Sequence, residues 1–306
     1  MDQHWTTTNI PDLTGKVVIV TGANVGVGYE AAKEFARKGA QTILACRNIQ
    51  KAQAAIEKIR KEIPAAPVEA MLLDLASLAS VHKFTDTFKT KYDRLDILVN
   101  NAGIMWLPPG KTADGFERHF GTNHLGHFAL TGLLIDLLQK TPGARVVTVS
   151  SVGHHSGSMD FEDLMFEKTE VYERQKVYGR SKLANLLFTY ELQRRLETSN
   201  MDTIAVAAHP GMCKTDLLSK PESPLFFKLV MPLAGLVVQS AAMGALPILR
   251  AAVDPEARGG EYYGPDGKNE SRGYPVIVQS NQASHNMQDA ARLWEVSEKL
   301  TGIHYL

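Results

Sequence analysis

Cysteine is scarce: Cys46 and Cys213 are the only two in 306 residues, and they stand far apart in sequence. That leaves no disulfide framework and no zinc-ligand spacing, and it suits a reducing compartment. An excess of either charge is missing as well, since 33 basic and 33 acidic residues sum to a formal net charge of zero. No global field therefore gathers nucleic acid or an anionic membrane surface, and a small molecule is the expected partner. Nor is there an apolar run long enough to cross a bilayer. The long late stretch, Leu225 to Val238, is cut by Lys228, Pro232 and Gly235. Its few basic residues favour a flap over an apolar pocket against a helix lying on a membrane surface. The N-terminal MDQHWTTTNIPDL lacks the apolar core of a signal peptide or anchor, so a cytoplasmic protein with no integral membrane segment is expected.

What remains is an ordinary globular composition, 44% hydrophobic and 22% charged, in a chain long enough for one large α/β domain with a sizeable core. Val17 to Gly28, VVIVTGANVGVG, reads as a buried strand, a glycine loop and a helix start. Gly22, Gly26 and Gly28 let the backbone turn tightly and approach a bulky anion, and the helix that follows aims free N–H groups at it. The spacing is G-x-x-x-G-x-G, which meets the dinucleotide fingerprint in mechanism only, and a tight turn without a ligand would also use these residues.

Strand and helix then alternate. Gln41–Cys46, Val68–Leu73, Leu95–Asn100, Arg145–Ser150 and Thr203–His209 are apolar, β-branched runs that predict strands. Between them, helical patterns run from Arg47 through Ile63, from Ser77 to about Lys91, from Asp114 to Gln139 and from Tyr172 to Glu197. Later stretches predict a helix over Gln239–Ala252, a short strand near Glu261–Tyr263 and a last helix around Gln288–Leu300. Repeated βα units predict a doubly wound (Rossmann) parallel sheet with helices on both faces. No linker or composition break divides residues 1–306, so a single domain is expected, with 14–150 mainly a cofactor half and 151–306 a catalytic and substrate half. Ligands of such folds bind beyond the carboxyl ends of the strands.

Tyr178 and Lys182 stand four apart on a predicted helix, on one face. A phenol with a reference pKa of about 10 is a poor acid or base at neutral pH, and a neighbouring ammonium favours its ionised form. Such a pair can exchange a proton with an alcohol oxygen, although the same spacing also describes an ordinary solvated helix face.

The ordered stretches TGANVGVG, LDL, NNAG, GTNHLGHF, VTVSS, YGRSK and HPGMCKT together resemble the short-chain dehydrogenase/reductase superfamily. The resemblance covers essentially the whole chain, and GTNHLGHFALT, YGRSKLANLLFTYEL and GGEYYGPDG resemble most its retinol dehydrogenase-like branch and the bacterial oxidoreductases related to it. It implies an enzyme that transfers a hydride between a nicotinamide and a carbon–oxygen bond. It further implies Tyr178 as general acid/base and Lys182 as the residue that lowers its pKa and binds the nicotinamide ribose. Ser151 would hydrogen-bond the substrate oxygen, and Asn123 would hold a water of a proton relay. For the cofactor it implies the turn Gly22, Asn24, Gly26, Val27 and Gly28 at the pyrophosphate, and Asp74 with Leu75 at the adenine. Asn100, Ala102 and Gly103 would lie on the adenosine side, and Pro210, Gly211 and Thr215 at the carboxamide.

An NAD-preferring site usually ends its second strand in an acid; here the position holds Cys46, followed by Arg47. A cation without an acid suits a 2′-phosphate, so NADP(H) is the expected cofactor, NADPH preferred over NADH. The substrate expected is an apolar carbonyl or alcohol, under a flap at about 212–238. His124 with His127, and His154 with His155, lack the Cys or carboxylate partners of a metal site, so no metal is expected. Leu125, Phe128, Leu130, Leu133, Leu134, Leu186 and Leu187 exceed what one sheet face needs, which fits a homodimer through the long helices or a monomer with a large core. Two alternatives stand beside this reading: a light-dependent protochlorophyllide-type reductase, and an NADP(H)-sensing protein without chemistry. The second tends to lose the Tyr or the Lys.

Overall fold

An eight-stranded sheet forms the centre of the computed structural model, which describes residues 4–213 and 238–306. In chain order come β1 (Val17–Thr21), α1 (Gly26–Arg37), β2 (Gln41–Cys46), α2 (Ile49–Glu62), β3 (Val68–Leu72), α3 (Leu78–Lys91) and β4 (Ile97–Asn100). Then follow α4 (Gly126–Lys140), β5 (Arg145–Val149), α5 (Arg174–Thr198), β6 (Ile204–Ala208), α6 (Ala241–Val253), β7 (Tyr262–Pro265), β8 (Pro275–Ile277) and α7 (Met287–Thr301). The strand order is β3-β2-β1-β4-β5-β6-β7-β8, parallel through β7, with β8 antiparallel at the edge. Order reverses between β1 and β4, so the loops after these strands open a crevice at the carboxyl edge.

The period of two along each strand separates two cores. Val18 and Val20 of β1 pack with α1, α2 and α6, while Val17 and Ile19 pack with α3, α4 and α5. A sheet buried on both faces needs strands that are apolar throughout, and all five residues of β1 are buried.

The segment from Asp114 differs from the long helix that periodicity predicts. Lys111 and Glu117 form a bridge instead, and the Asp114 carboxylate accepts the Leu78 N–H at 3.0 Å at the start of α3. Glu117 caps a helical turn by accepting from His119 N and Phe120 N, and a π-turn over Gly121–Leu125 leads into α4. β8 was not expected, because three residues opened by a proline carry no alternation. The expected flap lies, apart from its first and last residues, outside the described residues.

Most of the apolar surplus on the long helices is buried inside the chain, with Leu133 half-buried. Leu125, Phe128, Leu130, Leu134, Leu186 and Leu187 are fully buried. Helix α7 lies along α5, with Leu293 and Trp294 against its apolar face. The C-terminal Tyr305 closes on Gly132, where a Cβ would collide with its ring, and donates its hydroxyl to Phe128 O at 3.2 Å. Part of that surplus is the seat of the C-terminal helix. Among the described residues no helix is long and apolar enough to cross a membrane.

Candidate active site

The loops after β1 and β4 are tied to each other. Thr21 Oγ1 accepts from Asn101 N and Ala102 N, both at 2.9 Å, and Asn101 Nδ2 donates to Thr21 O at 2.7 Å. Gly22 has φ +67°, and its missing side chain leaves room for Ala102. A Cβ on Gly28 would strike the Asn101 amide. Helix α1 starts after Val25, an exposed N-cap residue with no side-chain hydrogen bond to the first turn. Its first N–H groups thus remain for an anion, which fits a pyrophosphate. Val27 is turned into the core. Ala23 and Asn24 offer their backbone to the Cys46 sulfur, and burial pushes that thiol up to about 11, so Cys46 supports the turn and is unreactive. Arg47 is exposed directly after β2 and makes no hydrogen bond or ion pair among the described residues.

Beyond β3, the Asp74 carboxylate accepts from Ala76 N at 3.0 Å, and Leu75 sends its side chain into the core while its carbonyl abuts Gly126. The Asn100 side chain turns away from the crevice. Its amide is 1% exposed and donates to Thr131 at 3.1 Å, behind the strand. Gly103 faces the crevice, standing where a Cβ would lie 3.3 Å from Asn123 Oδ1 and 3.5 Å from Lys182 Nζ.

Four side chains expected to act together do converge. Ser151 caps the turn after β5, its Oγ accepting from Gly153 N at 3.0 Å, and it lies beside the Tyr178 ring: a Cβ on Gly153 would stand 2.9 Å from Tyr178 Cε1 and 3.4 Å from Ser151 Oγ. Burial raises Tyr178, and the neighbouring Ser151 hydroxyl opposes that rise. Lys182 Nζ donates to Val149 O at 2.9 Å and lies 5.9 Å from the Tyr178 ring centre. Burial pushes the ammonium down to about 8. Lys182 thus directs one proton toward the β5 carbonyl, from the helix that also carries Tyr178. Ser150 ends β5 and ties down α5 by donating to Lys182 O at 2.9 Å. Asn123 sits in the π-turn, accepting from Ile104 N at 2.8 Å and donating to Ile104 O and to Ser181 Oγ. Its own carbonyl accepts His127 Nδ1 at 3.0 Å, which fixes the tautomer so that Nε2 accepts from Thr21. Burial pushes His127 down to about 4 and His124 to about 3. Both are neutral core groups, and among the described residues no three His, Cys, Asp or Glu side chains are placed to hold a metal ion.

The turn at Pro210–Gly211 is braced from behind. His209 accepts from Gly211 N and pairs its Nε2 with Glu270 at 2.8 Å, while Pro210 O receives Gln239 Nε2 at 2.7 Å. Thr215 lies outside the described residues. Beside Ser151 opens a cleft of about 830 Å³ lined by Val152, His155, Met212, Glu270 and Arg272. After Gly103 comes an apolar run, Ile104 to Leu107, whose residues are half-buried.

Two groups carry no signal that sequence reasoning picks out. Asn101 and Thr21 join two loops 80 residues apart. Glu117, His119 and Tyr172 form a buried cluster, Tyr172 donating to Glu117 at 2.6 Å and His119 Nδ1 lying 2.9 Å from the same carboxylate. With Leu107 N donating to His119 Nε2, the cluster fastens the apolar run to the segment before α5. Only a buried acid beside a histidine, two residues apart, could have signalled it.

A family model described as short chain dehydrogenase matches residues 16–163. Human retinol dehydrogenase 12 is 41% identical over 301 residues, spanning 97% of this chain and 90% of its own. Human polyprenol dehydrogenase is 39% identical over 302 residues, spanning 96% and 87%. Among solved structures, an uncharacterized protein from Mycobacterium paratuberculosis superposes with TM-score 0.82 at 38% identity, covering 99% of this chain and 100% of its own. Pseudomonas aeruginosa RhlG in an NADP active-site complex has TM-score 0.65 at 20% identity, over 82% and 94%, a likeness of fold.

Proposed function

Because this chain belongs to the short-chain dehydrogenase/reductase family, in its retinol dehydrogenase-like branch, and is an NAD(P)-dependent alcohol dehydrogenase or reductase, we propose that it works with NADP(H) on an apolar alcohol or its carbonyl. The convergence of Ser151, Tyr178 and Lys182 at the mouth of the glycine turn carries this reading. In reduction Tyr178 donates its phenolic proton to the substrate oxygen, and in oxidation it takes that proton back. Ser151 hydrogen-bonds the same oxygen and stabilises the charge that develops there. Lys182 keeps N–H bonds beyond the one spent on Val149 and offers them to the ribose hydroxyls of the cofactor. Asn123 holds the π-turn against Ile104 and so keeps the wall beside Lys182 in register. The nicotinamide, when bound, supplies the hydride in reduction and accepts it in oxidation.

The exposed Arg47, with no acid at the end of β2, supports a 2′-phosphate and hence NADPH. The run Ile104–Leu107 and the flanking Val152 and Met212 support an apolar substrate, and relatives named for retinol and polyprenol agree with that class. A screen of retinoids, long-chain aldehydes, ketones and steroids, following NADPH absorbance, tests the reading. Turnover of apolar carbonyls above small polar ones is expected; turnover confined to small polar carbonyls would contradict it.

A further inference from the structure

A layer of polar side chains lies directly beneath Lys182, on the sheet face that packs against α4 and α5. Parallel register sets Asn100 of β4 beside Thr148 of β5. Strand alternation turns both to the side of Leu98 and Val146, which belong to the core against those helices. Asn100, Thr148 and Asn185 of α5 are each 1% exposed. Asn100 Nδ2 is spent on Thr131 at 3.1 Å, and Asn185 Nδ2 on Val149 O at 3.1 Å. Three polar atoms of this layer find no partner in the protein: Asn100 Oδ1, Asn185 Oδ1 and Thr148 Oγ1. Two of them only accept, and the third is a hydroxyl that can donate. One water matches that set, giving its two hydrogens to the amide oxygens and receiving the Thr148 proton, and buried polar sites with such a partner count are where ordered water belongs.

Val149 O links this layer to the site. It accepts Lys182 Nζ at 2.9 Å and Asn185 Nδ2 at 3.1 Å, so both its lone pairs are used. Lys182 and Asn185 stand three apart on α5 and share a face. We propose that Asn185, oriented by a water bound between Asn100, Thr148 and Asn185, is a positioning residue for Lys182, holding the Val149 carbonyl and limiting its grip on the ammonium. The remaining ammonium N–H bonds then stay available to the ribose. This last consequence rests on the reading of Lys182 given above.

Few other groups act on the ammonium. Helix α5 contributes Tyr178, α4 contributes the neutral His127, the π-turn Asn123 and the loop after β4 Gly103. Burial alone moves Lys182, with no carboxylate acting on it among the described residues.

The test is a ¹³C NMR titration of labelled lysine in the full chain, with Lys182 assigned by Lys182→Met. In Asn185→Leu the carbonyl serves the ammonium alone, so the Lys182 midpoint rises by about half a unit or more. In Thr148→Val, which removes only the hydroxyl and conserves shape, it moves the same way by less. A high-resolution crystal structure should hold a water within about 3.2 Å of all three orphan atoms. Unchanged midpoints in variants that melt cooperatively would overturn the proposal, as would a crystal structure without that water. If Asn185→Leu fails to fold, Thr148→Val decides. None of these readouts needs turnover, so failure to find a substrate would count against the functional reading and leave this inference standing.

Discussion

The two halves of the site are built from different parts of the chain. Between β1 and β4 the ligand-facing groups are mostly backbone: glycines at positive φ, an uncapped helix start, and loops laced together by Thr21 and Asn101. After β5 they are side chains, Ser151, Tyr178 and Lys182, with Ser151 and Lys182 each fixed by a hydrogen bond to backbone and Tyr178 buried beside Ser151. A backbone cradle recognises a common anion and tolerates little change in shape. Side chains on a rigid helix can be tuned in proton affinity, which is what chemistry at an oxygen requires. Affinity for the cofactor and turnover should therefore separate under mutation.

Lys182 is the residue that belongs to both halves, and its removal should do the most damage. Lys182→Met is expected to cost about a thousandfold in kcat/KM, roughly 4 kcal/mol, and to weaken NADPH as well. The pH dependence follows from the same group. Its ammonium is held down to about 8, so NADPH affinity should be flat below that value and fall as the pH rises through it. For stability the sign is the reverse: the buried charge penalises the fold most below about pH 8, and that penalty shrinks as the native lysine loses its proton. An NADPH titration series against pH checks the affinity, and Lys182→Met should show no such fall.

Arg47→Ala probes the cradle alone. Loss of a charge-assisted contact to a 2′-phosphate should weaken NADPH by about ten- to a hundredfold and leave NADH nearly unchanged. Equal kinetics with the two cofactors in the unmutated protein would remove the basis for assigning Arg47 that role. The smallest effect is expected where neither half is touched. Glu117→Gln leaves buried N–H and O–H donors short of acceptors, and should destabilise by about 1–3 kcal/mol, read as a lower Tm, with NADPH Kd unchanged. Burial raises the Glu117 carboxyl while His119 and Tyr172 pull it down further, so its folded-state value lies below the ordinary one. Its contribution is thus present above the ordinary carboxylate range and lost as the pH falls through the depressed value.

How much of this was legible in the chain varies by region for a physical reason. β1, β2, β5 and β6 follow from apolar, β-branched runs buried on both faces, and their observed bounds lie within a residue or two of those read from pattern. The convergence of Ser151, Tyr178 and Lys182 was expected from the ordered motifs. By contrast, the entry into α4 was misjudged because Glu117 terminates the periodicity with side-chain hydrogen bonds that only the folded chain brings together. Strand alternation turns the Asn100 side chain behind the sheet, an orientation that the motif alone does not reveal. The apolar residues of α4 and α5 were legible as a surplus, but what covers them was not, since α7 lies about a hundred residues away in sequence. Asn185 carries no local signal, because its partner is the backbone of a distant strand.

The separation of binding from chemistry is tested most directly by one paired measurement on Tyr178→Phe: NADPH Kd by fluorescence titration, and turnover of the best carbonyl found in the screen. Tyr178 stands on α5 beside Ser151, whereas the glycine cradle is built from the loops after β1 and β4. Kd should stay within about twofold while kcat falls by about a thousandfold or more. A variant that keeps most of its turnover, or one that loses NADPH binding in proportion, would contradict the account.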